Sequence, residues 1–123
     1  MEKIVLIDGM RTPFMRAGTT YMDTMSYELG QFAIKGILTK TGIDPAIVDQ
    51  VILGTVISNL KTSNVAREAA LSGGLQETTP CHTVTMACIS ANRAISTAVA
   101  EMLAGQYEVA IAGGVDCTSA VSY

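Results

Sequence analysis

Charge is scarce in this chain. Lysine, arginine, aspartate and glutamate make up 15% of its 123 residues, against about 25% in soluble domains at large. So small a polar complement implies that part of the surface meets protein, either a partner chain or further chain of its own. The formal net charge is −3 and no lysine or arginine run exists. That argues against nucleic-acid binding, because neutralising phosphates takes clustered positive charge. Long apolar runs are also missing. None approaches the ~18 residues of a membrane helix, so no membrane span is expected. Histidine occurs once, at His82, and cysteine three times, at 81, 88 and 117. An odd count with spacings of 7 and 29 gives neither a disulfide framework nor a zinc site. Free thiols in a reducing compartment are the simpler reading, and no metal is expected. There is no glycine-rich phosphate loop, no repeat and no low-complexity segment. The first residues lack the composition of a signal or transit peptide. A cytoplasmic location is therefore expected, with the mitochondrial matrix as the alternative if a transit peptide has been removed.

What is present reads as one domain, residues 1–123, with 49% apolar residues to build a core. Residues 3–7 (Lys-Ile-Val-Leu-Ile) form a β-branched run without alternation, as in a strand buried on both faces. From about Asp23 to Lys40 the spacing of Met25, Leu29, Phe32, Ala33, Gly36 and Ile37 predicts a helix, with Asp23 as N-cap and Gly42 as stop. Asp44-Pro45 opens one short turn. A second strand is expected over 50–57, then a helix capped by Thr62 or Ser63 and closed by Gly73-Gly74. A third strand covers 80–86. The helix from about Cys88 to Ala104 carries only Arg93 and Glu101 as charges. Such a helix is expected to be buried all round, at the centre of something larger. A fourth strand over 107–112 ends in Gly113-Gly114, and a tail of small and polar residues follows. The order βαβαβαβ predicts an α/β layered fold with mainly parallel strands.

The chemistry is expected where the third strand meets the apolar helix, at Thr83-Val84-Thr85-Met86-Ala87-Cys88-Ile89-Ser90-Ala91-Asn92. A thiol at a helix start meets the helix dipole and unpaired N–H groups, which favour the nucleophilic thiolate. Cys88 is therefore the candidate nucleophile; a buried structural cysteine is the competing reading. His82 lies six residues earlier, which on extended chain is ~20 Å away at ~3.3 Å per residue. A packing or interface role suits it better than a Cys–His pair, and Cys81 faces the opposite side of the strand. Arg11 and Arg67 are read as structural, satisfied by carbonyls or a carboxylate. Met10, Met15, Met22 and Met25 are read as gap fillers, and Glu28, Glu68 and Asp49 as solvated faces.

The Cys88 segment, together with Thr62-Ser63-Asn64-Val65-Ala66-Arg67-Glu68-Ala69-Ala70-Leu71, resembles the thiolases, and among them the β-subunit type of the fatty-acid-oxidation trifunctional enzyme. Asp8-Gly9-Met10-Arg11-Thr12-Pro13-Phe14 and Ala112-Gly113-Gly114 sit where that family has similar segments. The resemblance covers the whole chain, but only the N-terminal third of a thiolase. It implies a thiolase-like layered fold with a mainly parallel mixed sheet and a buried nucleophile helix. The implied reaction is thiolytic cleavage of 3-oxoacyl-CoA in β-oxidation, or the reverse Claisen condensation, through an acyl group on Cys88. The Cys88 backbone N–H would form part of an oxyanion hole. The family takes a histidine and a second cysteine from its C-terminal half, so this chain alone is expected to be inactive. Coenzyme A enters as substrate and no cofactor is implied; acyl-CoA, coenzyme A and a homo-oligomeric or complementing thiolase chain are the implied partners. One departure stands out. Thiolases commonly read Gly-Gly-x-Glu-x-Met-Ser where this chain has Gly113-Gly114-Val115-Asp116-Cys117-Thr118-Ser119, so no catalytic role is carried onto Asp116 or Cys117. A non-catalytic module acting in oligomer association is the alternative, and a condensing enzyme of the ketoacyl-synthase type fits the Arg11 and Asn64 segments less well.

Overall fold

A computed structural model describes residues 3–120, and the structural statements that follow concern those residues. Three strands and three main helices alternate along the chain. They are α1 (Ser26–Thr41), β1 (Gln50–Gly54), α2 (Val65–Ser72), β2 (Cys81–Val84), α3 (Ser90–Leu103) and β3 (Ala110–Gly114). Short 3-10 turns at Pro45–Ile47 and Thr118–Ala120 complete the set. The strands lie in the order β2-β1-β3, and β1 pairs in parallel with both neighbours.

β1 is buried throughout, because successive side chains of a strand point to opposite faces and both faces are covered. Val51 and Leu53 pack with Ile34 of α1 and Ala66, Ala69 and Ala70 of α2. Ile52 turns the other way, onto Ala94 and Ala98 of α3. The result is three layers, with α1 and α2 on one side of the sheet and α3 on the other. The α/β layered reading therefore holds, with a parallel sheet.

Two expectations about whole elements meet a different structure. Residues 3–7 form no strand: Val5, Leu6 and Ile7 are 70%, 81% and 77% exposed. A β-branched run becomes a strand only when its backbone groups find a ladder, and no described strand pairs with this one. The segment is held at its end instead, where Lys40 Nζ meets Asp8 Oδ1 at 2.8 Å. The second difference concerns α3. Its buried residues are Ser90, Ala94 and Ala98 alone, while Ile95 and Leu103 are 41% and 50% exposed. The sheet covers one stripe of the helix, and no other described element covers the rest.

Helix ends show where local chemistry decides. Gly42 stops α1 in the left-handed region at φ 68°, and Asp44 caps the turn that begins with Pro45. Met25, not Asp23, occupies the N-cap position of α1, and its N–H donates to Glu28 Oε1 at 3.2 Å. Glu28 is thus a capping residue and not merely a solvated one. For α2 the cap is Asn64, not Thr62 or Ser63; the Thr62 hydroxyl is buried without a partner among the described residues. Asn64 Oδ1 accepts from the Arg67 N–H at 3.3 Å and from the Thr83 hydroxyl at 2.7 Å. Its Nδ2 donates to the Cys81 carbonyl at 3.1 Å. One side chain therefore caps α2 and fastens it to β2. Asn64→Ala is expected to cost about 2 kcal/mol, combining a lost cap with unpaired groups at a helix–strand seam. Thermal unfolding followed by circular dichroism should show Tm lowered by roughly 5–10 °C; an unchanged Tm would mean that water replaces all three bonds at no cost.

Candidate active site

Past Val84 the chain leaves the sheet and reaches α3 through residues 85–89. Ala87 takes φ +50°, the one positive value at a non-glycine among the described residues. A residue with a Cβ held there costs on the order of 1 kcal/mol or more. The surroundings impose it. The Ile89 N–H donates to the Met86 carbonyl and the Ser90 N–H to the Ala87 carbonyl, both at 3.2 Å. Ser90, which is buried, adds its hydroxyl: Oγ accepts from the Met86 N–H at 2.8 Å and donates to the Ala87 carbonyl at 2.6 Å.

Two glycines let this turn settle on the sheet. A Cβ at Gly54, the last residue of β1, would lie 2.3 Å from the carbonyl carbon and oxygen of Ser90. One at Gly114, the last of β3, would lie 2.8 Å from the Ala91 Cβ. With no side chains there, the start of α3 drops onto the carboxyl ends of the strands. Parallel α/β sheets place their ligands at that end. Cys88 lies there, exposed, two residues before the first residue of α3 and not at the helix start itself. Among the described residues nothing accepts from its N–H.

Cys88 lines a cavity of about 450 Å³ with Ala87, Ala91, Gly114, Asp116 and the loop that carries Arg11 and Phe14. That volume falls within the usual range of small-molecule sites. The Arg11 guanidinium carbon lies 3.6 Å from the Phe14 ring centroid, and the side chain donates to the Thr12 carbonyl at 3.0 Å. Arg11 thus satisfies its own loop. Arg67 likewise donates to the carbonyls of Thr79 and Glu77, at 2.9 and 2.7 Å. Asp116 is a clamp. Its carboxylate accepts from the Thr55 hydroxyl at 2.8 Å and from the Val56 and Ile57 N–H groups at 3.0 Å. It joins the segment after β3 to the one after β1, beside the Cys88 cavity.

The other cysteines sit differently. Cys81 is half-buried and donates to the Thr79 carbonyl at 3.2 Å; burial pushes its thiol up, against the pull of nearby Arg67. Cys117 is half-buried and donates to the Thr24 carbonyl at 3.3 Å.

A larger cavity, about 620 Å³, opens at the opposite end of the sheet and includes His82, Gln50, Asp49 and Tyr107. It holds no cysteine, and several of its polar groups are already engaged. His82 Nδ1 and Gln50 Nε2 are 2.8 Å apart. Asp49 accepts from the Glu108 and Val109 N–H groups at 3.1 Å each, so it is more than a solvated carboxylate. The Tyr107 hydroxyl donates to Glu101; burial, then the Glu101 carboxylate, pushes the phenol above its ordinary range. His82 and Cys88 are therefore not brought together. The smaller cavity is the candidate site because the candidate nucleophile, Cys88, lines it.

Sequence reasoning proposed Cys88, named Asp116 without giving it a role, and passed over Ser90 and Gly54. The signal for Ser90 was its place two residues after the cysteine; for Gly54 it was a glycine closing an apolar strand.

The family model described as "Thiolase, N-terminal domain" matches residues 4–123. The mitochondrial trifunctional enzyme subunit beta of Bos taurus is 51% identical over 119 residues, 97% of this chain and 25% of that protein. A probable 3-ketoacyl-CoA thiolase of Caenorhabditis elegans is 46% identical over 121 residues, 98% of this chain and 27% of that protein. Among solved structures, the Bacillus anthracis acetyl-CoA acetyltransferase superposes with a TM-score of 0.83 at 33% identity, over 87% of this chain and 27% of that one. This chain thus spans about a quarter of the length of the curated relatives it matches. With sequence and fold in agreement over nearly all its residues, the chain belongs to the thiolase family.

Proposed function

We propose that residues 1–123 are the nucleophile-bearing N-terminal domain of a 3-oxoacyl-CoA thiolase, an acyltransferase of fatty acid oxidation. The observation that carries the reading is Cys88, exposed in a cavity at the carboxyl end of a parallel sheet and presented by a strained turn. Its thiolate attacks the 3-oxo carbon, and the C–S bond forms as the carbonyl oxygen takes the negative charge. The Cys88 N–H donates to that oxyanion. Collapse breaks the bond between C2 and C3, C2 takes a proton and acetyl-CoA leaves. The acyl group stays on Cys88 as a thioester until the thiol of coenzyme A removes it. The proton-transfer histidine and second cysteine implied by the family lie elsewhere in the full-length protein, so the activity is assigned to that protein and not to these residues alone. Coenzyme A is substrate, and no cofactor enters the scheme.

The apolar faces left open on α3 and on residues 5–7 are consistent with assembly, with the rest of a thiolase polypeptide, a complementing chain or a second copy. The same faces motivate the alternative, a non-catalytic module that acts only in association. Relatives named as mitochondrial favour the mitochondrial alternative for location.

The test is acyl trapping. The full-length protein is mixed with a 3-oxoacyl-CoA, quenched in acid and digested, and the peptides are weighed. The acyl mass is expected on the peptide carrying Cys88 and on none carrying Cys81 or Cys117. In a parallel experiment with limiting iodoacetamide near pH 8, Cys88 should be alkylated at least about tenfold faster than the two half-buried thiols. Equal labelling of all three, with no acyl-peptide, would leave the association module as the better reading.

A further inference from the structure

The two hydrogen bonds of the Ser90 hydroxyl lie on either side of the Ala87 φ torsion, and one of them holds the carbonyl of the peptide unit that Ala87 and Cys88 share. The Ala87 carbonyl accepts from the Ser90 hydroxyl at 2.6 Å and also from the Ser90 N–H at 3.2 Å. The Met86 N–H, two peptide units earlier, donates to the same Oγ at 2.8 Å. A trans peptide is planar, with its C=O and N–H pointing in opposite directions. Turning the Ala87 carbonyl toward the first turn of α3 therefore turns the Cys88 N–H away from it. That N–H then has no acceptor among the described residues. Ala87 must hold φ +50° for this arrangement, and the Ser90 hydroxyl bonds the residue on either side of the strained torsion. Ser90 is itself fixed, 4% exposed and pressed against Gly54.

We infer that Ser90 is a positioning residue, whose hydroxyl aims the Cys88 backbone N–H at the oxyanion that forms when Cys88 attacks a carbonyl. The inference rests on Cys88 being the acyl-accepting nucleophile. The Ser90 hydroxyl is engaged by the Met86 N–H and the Ala87 carbonyl, and it acts through the 87–88 peptide. A donor aimed at charge that exists only in the transition state changes kcat and leaves ground-state binding alone.

The experiment measures steady-state thiolysis by the full-length protein and its Ser90→Ala variant, with Cys88 alkylation rates measured on both. Losing an oxyanion donor outright lowers turnover about 100- to 1,000-fold. A donor misaimed but still present should cost about tenfold to a hundredfold in kcat, with KM and the Cys88 alkylation rate within about twofold of the parent. Amide hydrogen exchange at Met86 should also quicken, since its acceptor is gone. Should Ser90→Ala not fold, Ser90→Cys fills the same space with a weak hydrogen-bonding group and should show the same loss in kcat. A kcat within twofold of the parent in a folded variant overturns the inference, while Cys88→Ala in the same assay shows whether the nucleophile assignment itself stands. An equal loss in kcat and in alkylation rate overturns it too, because the hydroxyl would then be supporting the thiol and not the N–H.

Discussion

Replacing Cys88 by alanine should lower thiolysis by the full-length protein at least about 1,000-fold, roughly 4 kcal/mol of transition-state stabilisation, while leaving its Tm almost unchanged. The two halves of this expectation come from different facts. On the proposed mechanism the activity loss follows from covalent chemistry: without the sulfur there is no acyl-enzyme, and a water or coenzyme A molecule must do in one step what the thiol divides into two. The unchanged Tm follows from position. Cys88 is exposed and belongs to neither group of packed core side chains, so deleting its sulfur opens no internal void. The Ala87 turn is made by backbone groups and Ser90, all of which remain. Steady-state kinetics and a thermal melt on the same preparation check both halves. Turnover above about a tenth of the parent's would sink Cys88 as the nucleophile. A large fall in Tm with the same activity loss would mean that the cysteine holds the site together instead of reacting in it.

How much of this was legible beforehand depended on whether the information is local. β1 and the helices announced themselves through runs and spacings that neighbours in sequence create, and Gly42 and Asp44 mark turns they make themselves. Residues 3–7 show the limit. Their β-branched composition describes a strand's side chains, but a strand also needs a second backbone, and composition cannot say whether one is there. The α3 helix shows it from the other side. Its alanines, with Ile95 and Val99, mark it as suited to burial, while the extent of burial depends on how many layers surround it, here one. At the candidate site, the position of Cys88 between β2 and α3 was legible because a strand-to-helix junction is a local event. Asp116 was not, because its partners Thr55, Val56 and Ile57 lie about sixty residues away in sequence. Only the parallel pairing of β1 with β3 brings the two segments side by side. Asn64 was missed by one or two residues, since Thr62, Ser63 and Asn64 are all good caps and what selects among them is Thr83 on the neighbouring strand.

Gly54→Ala should be the most damaging single-methyl change in the fold, costing more than about 3 kcal/mol and lowering Tm by roughly 10 °C or more. The added Cβ would lie 2.3 Å from the carbonyl carbon and oxygen of Ser90 and 2.7 Å from its Cβ. The first two are backbone atoms in the first residue of α3, and no side-chain rotation relieves the contact. β1 cannot yield either. It is the central strand, Gly54 accepts from the Val115 N–H at 2.9 Å, and the next residue donates to the Val84 carbonyl at 3.0 Å. The helix must therefore lift, loosening the contacts of Ile52 with Ala94 and Ala98 and carrying the Cys88 turn with it. A displacement near 1 Å is enough to lower turnover about a hundredfold, so the activity of the full-length variant should fall even below its melting temperature. Gly9→Ala is the control, since no atom lies within 4 Å of the position a Cβ would take there; its Tm should match the parent's. If Gly54→Ala melts within 2 °C of the parent, α3 does not press on the end of β1, and the account of how this sheet presents its cysteine is wrong.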